Sequence, residues 1–271
     1  MVFVDSAGIT DVGKKRDKNE DAILIDRKSN LFVVADGMGG HLAGEVASNI
    51  VIETIKNHIK TYDTNNIPDD VVCTDDIISE DASLLVSSIN IANSKVYCQS
   101  MDNKSWRGMA STVSAALVSD ETIIVANVGD SPIYLVSNGD IELVSVMHTL
   151  SNEQPCDEFE ETIENKYRHI LTRGIGVKET VKIDFCEIPY SKGDQLIICS
   201  DGLSNKVSEK EILNEVTSHA PEKACRILVD MANERGGDDN ITIIVLKIKN
   251  PCMFIISHAG KKIRNFFHKL I

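Results

Sequence analysis

No Cys-x-x-Cys pair occurs anywhere in this chain, although it holds seven cysteines, at positions 73, 98, 156, 186, 199, 225 and 252. An odd, scattered set of this kind reads as reduced thiols in a cytoplasmic protein. The lack of any His/Cys cluster at ligand spacing excludes a structural zinc site. No apolar run approaches the roughly 20 residues that span a bilayer. The start, Met1-Val-Phe-Val-Asp-Ser6, has no charged stretch ahead of an apolar one, so no secretory leader is expected. Positive charge is also short: 28 Lys/Arg against 41 Asp/Glu give a net charge of −13, which excludes a nucleic-acid binder because phosphate neutralisation needs a basic surface. The deficit is uneven. Residues 247–271 hold six Lys/Arg and no acid, which leaves −19 on the remainder.

Three common phosphate-handling loops are missing too. Gly39 and Gly44 have P-loop spacing, but Glu45 stands where the lysine must be, and Leu42 occupies the position where a dinucleotide-binding loop needs glycine. A cysteine phosphatase needs Cys, five residues and Arg; counted from Cys199 and Cys225, that position holds Asn205 and Met231. Cys199, inside an apolar run, reads as a buried core thiol.

What remains is an ordinary globular composition, 42% apolar and 25% charged over 271 residues, enough for one large domain or two small ones. Residues 21–36 read as a hairpin, two apolar strands around Arg27-Lys28-Ser29-Asn30. From Gly40 the period becomes helical through Val46, Ile50, Ile52, Ile55 and Ile59, and a second helix is expected over about 75–100 after a loop at 63–70. Strands fit 111–118, 122–128, 132–136 and 141–146, with Asn138-Gly139 as a hairpin turn. Residues 147–167 are polar and acidic and read as a mobile surface segment. Further strands fit 181–188, 194–200 and 240–248, and helices 208–217 and 221–234. Hairpins outnumber βαβ units, which indicates an α+β architecture of antiparallel sheets covered by helices. The tail 250–271, with Ile256, Ala259, Ile263 and Phe266 at helical spacing among lysines, reads as a unit apart from residues 1–249. It is either a helix docked on the body or a basic amphipathic element for an acidic partner or anionic lipid.

Five acidic motifs stand at the ends of apolar runs: Asn19-Glu20-Asp21, Asp36-Gly37-Met38-Gly39-Gly40, Gly129-Asp130-Ser131, Asp201-Gly202 and Asp238-Asp239-Asn240. One Asp-Gly after a strand is usually just a turn. Several together are what a fold supplies when it gathers hard oxygen ligands around divalent metal ions. Gly37 lets backbone approach closely, so that a carbonyl can serve beside the Asp36 carboxylate. Asp239, next to the strand, is preferred over Asp238 as the ligand.

These residues carry a resemblance. Arg16-x-x-Asn-Glu-Asp21, Ala35-Asp-Gly-Met-Gly-Gly-His41, Gly108-Met-Ala-Ser-Thr112, Val128-Gly-Asp-Ser131, Leu171-Thr-Arg-Gly-Ile-Gly176, Ser200-Asp-Gly202 and Asp239-Asn240 resemble, in order, the motifs of the bacterial branch of the protein phosphatase 2C family. That family consists of metal-dependent Ser/Thr protein phosphatases. The resemblance spans about residues 5–248 and implies a β-sandwich of two antiparallel sheets flanked by pairs of α-helices, with a metal centre at one end. Carried over, it makes Asp36 the carboxylate bridging two Mn²⁺ or Mg²⁺ ions. The Gly37 carbonyl completes one shell, and Asp201 and Asp239 bind the other ion. Glu20 and Asp21 match positions that bind metal directly or through water, and Asp130 matches a third, weaker metal position shared with Asp201.

Phosphate monoesters hydrolyse so slowly that catalysis must supply on the order of 20 kcal/mol. A metal pair holds a water as hydroxide at neutral pH and clamps the phosphoryl oxygens. Arg16 is the group to grip two phosphate oxygens with its planar fork. His41 is the candidate general acid, with helix capping as its other reading. Two departures from the family stand out: Pro132 in place of arginine after Gly129-Asp130-Ser131, which puts the third metal position in question, and Met147-His-Thr149 in place of Asp-His-Ser. The expectation is a monomeric phosphoprotein phosphatase that reverses a Ser/Thr kinase. The alternatives are a catalytically silent sensor on the same fold and a hydrolase of small phosphate esters.

Overall fold

The computed structural model describes residues 3–39, 43–62, 79–120, 122–153 and 170–250, with the backbone of 268–269. The apolar run Leu31-Phe-Val-Val-Ala35 shows why two sheets form. It lies in a strand, so its side chains alternate between faces, yet all five are buried. Leu31, Val33 and Ala35 turn to a helical layer, while Phe32 and Val34 turn to the other sheet.

The elements run β1 (Phe3–Asp11), β2 (Asp21–Asp26), β3 (Leu31–Met38), α1 (Ala43–Thr61), α2 (Glu80–Asp102), a 3-10 turn at Lys104–Trp106, and β4 (Ala110–Ser111). Then come β5 (Val113–Val118), β6 (Thr122–Val128), β7 (Ile133–Ser137), β8 (Asp140–Leu143), α3 (Leu150–Glu153), β9 (Asp184–Pro189) and β10 (Gln195–Cys199). The last are α4 (Asp201–Ser204), α5 (Glu209–Ser218), α6 (Pro221–Glu234), β11 (Ile241–Asn250) and β12 (His268–Lys269). One sheet has the order β1-β11-β10-β7-β8, and the other β12-β9-β6-β5-β3-β2 with β4 attached to β3. Every described pairing is antiparallel.

Three apolar layers hold the sandwich. Ala47, Val51 and Ile55 of α1 and Leu85, Ile89 and Val96 of α2 cover one outer face. Phe32, Val34, Ile123 and Val125 meet Ile133, Leu196, Ile198, Ile244 and Leu246 between the sheets. Ile212, Val216, Leu228 and Ala232 cover Ile197, Cys199, Ile243 and Val245 on the other outer face. Each such large side chain contributes about 1.5–3 kcal/mol by burial. Local chemistry sets the boundaries: a capping box of Ser208 and Glu211 starts α5, and Pro221 opens α6. The β2–β3 and β7–β8 turns place Asn30 at φ 51° and Asn138 at φ 55°, the left-handed region that asparagine tolerates.

Two expectations are corrected. β1 has no counterpart in the sequence reading, because its Asp5, Ser6 and Gly8 break the apolar pattern; its partner β11 along nine of its residues supplies what the local pattern lacks. Residues 148–149 are not surface: His148 is fully buried, and Thr149 is buried and bridges to Leu171, whereas the short α3 that follows lies at the surface. The rest of that expected segment, 154–167, lies outside the described residues, as does the loop at 63–70. So does the expected tail helix, except that 268–269 pair with β9 as a short strand. Among the described residues no helix is long and apolar enough to cross a membrane, and Cys98, Cys186, Cys199 and Cys225 are free thiols.

Candidate metal centre

Asp21 opens β2 directly across from Asp36 on β3, so two carboxylates form a cross-strand pair. Like charges in that position oppose strand pairing. Backbone bonds hold Asp36 in place regardless: its N–H donates to Thr112 Oγ1 at 3.0 Å, and its carbonyl accepts from Thr112 N–H at 2.8 Å and Ser111 Oγ at 3.0 Å. Asp21 Oδ2 accepts from Ser200 Oγ at 2.9 Å and Thr242 Oγ1 at 2.6 Å, both on the other sheet's side. Asp21 Oδ1 is buried without a hydrogen-bond partner among the described residues.

The remaining acids arrive from turns of both sheets. Asp201 follows β10, and Gly202 is needed there because a Cβ would lie 1.9 Å from the Asn240 carbonyl oxygen. Asn240 ties the turns together. Its Oδ1 accepts from Glu20 N–H at 2.8 Å, and its Nδ2 donates to the carbonyls of Val12 at 3.0 Å and Lys18 at 2.8 Å. Arg16 Nη2 donates to Asp239 Oδ2 at 2.8 Å, while Asp238 is exposed and paired with Lys206. Gly37 N–H donates to the Glu20 carbonyl at 3.1 Å, and a Cβ on Gly37 would stand 2.1 Å from the Gly44 carbonyl oxygen. Asp130 is buried in the turn after β6, whose Ser131 carbonyl accepts from Ser114 Oγ at 2.5 Å.

The charges react to this crowding. Burial pushes Asp36 well above the usual carboxylate range, and Asp21, Asp201, Asp130 and Asp239 push it further. Burial likewise raises Asp21 to about 6 against its two hydroxyl donors, and burial with Asp201 raises Asp130 to about 7. Glu20 is raised by burial, with Arg16 opposing. Despite Pro132, then, Asp130 stands within the field of Asp201 and Asp36.

Among the described residues no three acidic side chains already form a chelating set round one point. Their oxygens are engaged elsewhere: Arg16 donates to Asp239, Asn205 to Asp201, and Ser200 and Thr242 to Asp21. The donor set is nonetheless all hard oxygen, the carboxylates raise one another's affinity for positive charge, and one buried oxygen of Asp21 is unpartnered among the described residues. That fits a divalent cation.

Comparison with known proteins decides the family. The profile described as Protein phosphatase 2C matches residues 13–234. The chain belongs to the protein phosphatase 2C family. It is 31% identical over 246 residues to the serine/threonine phosphatase stp of Listeria monocytogenes, covering 88% of this chain and 93% of that one. It is 32% identical to the protein phosphatase PhpP of Streptococcus pneumoniae, over 89% of this chain and 96% of that one. The catalytic domain of the serine/threonine protein phosphatase PstP, solved in complex with two manganese ions, superposes with a TM-score of 0.78 at 25% identity, covering 92% of this chain and 100% of that one.

On this phosphatase fold the structure brings Arg16, Glu20, Asp21, Asp36, Gly37, Asp130, Asp201 and Asp239 to one end of the sandwich. They are linked by the contacts and mutual fields above. His41 lies outside the described residues. One cluster went unread in the sequence. Fully buried His148 has Nε2 2.7 Å from Asp184 Oδ2, and Arg173 Nη1 donates to the same oxygen at 2.8 Å. Burial pushes Asp184 up, but the His148 and Arg173 contacts outweigh it and hold the carboxyl below its usual range. A histidine in a polar stretch and a lone arginine in Leu171-Thr-Arg173 gave no local sign that they meet.

Proposed function

We propose that this end of the sandwich holds two Mn²⁺ or Mg²⁺ ions and hydrolyses phosphoserine and phosphothreonine in proteins. The convergence of Asp36, Asp201 and Asp239 from three separate strand ends, on a chain of this family, carries the reading. Asp36 and the Gly37 carbonyl would serve one ion, Asp36, Asp201 and Asp239 the other, with Glu20 and Asp21 contributing directly or through water. Asp130, with Asp201, would serve a third and weaker position. When bound, the metal pair supplies an activated water and charge neutralisation for the phosphoryl group.

The chain's own residues do the rest. Arg16 is half-exposed, and its role would be to leave Asp239 and present its fork to two phosphate oxygens. Asn240 and Gly202 keep the Asp239 and Asp201 turns in contact, and Thr112 fixes the backbone of Asp36, so the ligands stay in register through a turnover. His41 is proposed as the proton donor to the leaving alkoxide.

The proposed setting is a monomer in the cytoplasm that reverses a Ser/Thr kinase, in keeping with the free thiols and the acidic surface. The segment 250–271 is proposed as a separate basic element meeting an acidic partner or anionic lipid; its deletion should leave turnover intact and reduce such binding. The central test assays the protein on a phosphothreonine peptide and on a small aryl phosphate, with Mn²⁺ and with chelator, beside Asp239→Ala. Metal-independent activity, or full activity in the variant, refutes the mechanism. No turnover favours a silent fold, and turnover of the aryl phosphate alone removes the protein substrate.

A further inference from the structure

We propose that His148 is a positioning residue that locks the Gly129–Asp130 turn and so sets how tightly the Asp130–Asp201 position holds its metal ion. The inference rests on the metal-centre reading above. His148 meets Gly129 twice: its ring Nδ1 accepts from Gly129 N–H at 2.9 Å, and its backbone N–H donates to the Gly129 carbonyl at 2.9 Å. Because Nδ1 is an acceptor, the ring proton resides on Nε2, where it is donated to Asp184. Arg173 Nη1, 3.2 Å from Nε2, is then a second donor converging on the same Asp184 oxygen. Its Nη2 pairs with Glu153 at 3.0 Å, which steadies the guanidinium. The carboxylate thus selects the one tautomer that can receive the Gly129 N–H.

The turn needs such a hold. Gly129 has φ 116°, and a Cβ there would come within 2.6 Å of the Thr112 side chain, so no larger residue can stiffen it. On the other flank of Asp130, Ser131 is gripped by Thr112 and Ser114. Asp130 therefore hangs between two clamps, one of which is an imidazole. Segment 146–148 is also docked through Asn127, which exchanges two hydrogen bonds with the Val146 backbone at 2.5 and 3.1 Å. Loss of the ring should consequently leave the segment folded while loosening the turn, which keeps only the backbone bond from residue 148 to the Gly129 carbonyl.

The experiment titrates Mn²⁺ into the wild-type chain and variants by calorimetry, with free Mn²⁺ followed by electron paramagnetic resonance. Asp130→Ala identifies the binding step that belongs to Asp130. His148→Ala should weaken that same step roughly 10- to 100-fold, the range for outer partners of metal ligands, and leave the other steps unchanged. His148→Asn, which keeps an acceptor near the Nδ1 position, should recover part of it; His148→Gln, which does not, should not. Melting curves and circular dichroism accompany each variant, and if His148→Ala does not fold, the Asn and Gln variants decide by their difference. The proposal is overturned if Asn and Gln behave alike, if His148→Ala binds as the wild type does, or if it weakens every step equally. It also falls if Asp130→Ala removes no step. A wild type that takes up no Mn²⁺ removes the metal reading itself and this proposal with it.

Discussion

Arg16 Nη2 and Asp239 Oδ2 lie 2.8 Å apart across 223 residues of sequence, joining the β1–β2 connection to the turn before β11. The pair is open to solvent, with side-chain exposures of 51% and 37%, so it adds less than about 1 kcal/mol to stability. Its proposed role is at the phosphate. Arg16→Ala should therefore melt close to wild type while kcat/KM on a phosphothreonine peptide drops by roughly 10²–10³, the scale for losing one fixed electrostatic contact in a transition state. Arg16→Lys should recover little, because an ammonium cannot grip two oxygens at once. Wild-type kinetics in Arg16→Ala would remove it from the phosphate site.

The acidic end gives a second expectation. Carboxylates that raise one another are relieved by a cation that the unfolded chain does not bind as well, so metal should stabilise the fold. At a free Mn²⁺ concentration about 100 times its dissociation constant the gain is about 2.7 kcal/mol. Asp36→Asn should lose that gain and the metal-dependent activity together. In chelator it should melt no lower than the wild type, since burial and the neighbouring acids disfavour the charged carboxylate that the amide replaces. Thermal melts with Mn²⁺ and with chelator check both halves.

Asp184 predicts an acid-side effect. Its pKa in the fold is lowered from 3.8, so the stability it contributes is fully present above that unfolded value and is lost as pH falls through the lower folded one. Urea unfolding in chelator between neutral pH and about pH 3 should show a shallower acid loss for Asp184→Asn than for the wild type. Parallel curves would mean that the contacts with His148 and Arg173 give the ionised form no advantage.

Gly37 is constrained by space and not by φ. Its missing Cβ leaves room for the Gly44 and Glu20 carbonyls, 2.1 and 2.6 Å from where that carbon would sit. Gly37→Ala should destabilise by at least about 1–3 kcal/mol and disturb Mn²⁺ uptake in the same variant, because α1 and the Glu20 backbone must retreat. Calorimetric Mn²⁺ titration beside denaturant melts would reveal it; unchanged uptake would detach Gly37 from the centre.

Much of the fold was legible because its signals are local. The β2–β3 hairpin, the Asn138-Gly139 turn and the helix from Pro221 to Glu234 each follow from a period or a turn residue within a short window. β1 was not legible, since its polar residues make sense only once β11 lies beside it. His148 was misjudged for a related reason: polar neighbours suggested solvent, while Asp184 and Gly129 lie far along the chain.

By itself the sequence determined the alternation that builds two sheets, the family motifs, and the placing of each acid at the end of an apolar run. Tertiary structure alone decided that Asp21 faces Asp36, that Arg16 rests on Asp239, that Asp130 stands with Asp201 despite Pro132, and that His148 grips Gly129. Strand register and sheet packing are sums of many weak contacts between distant segments, and no local window of residues contains them.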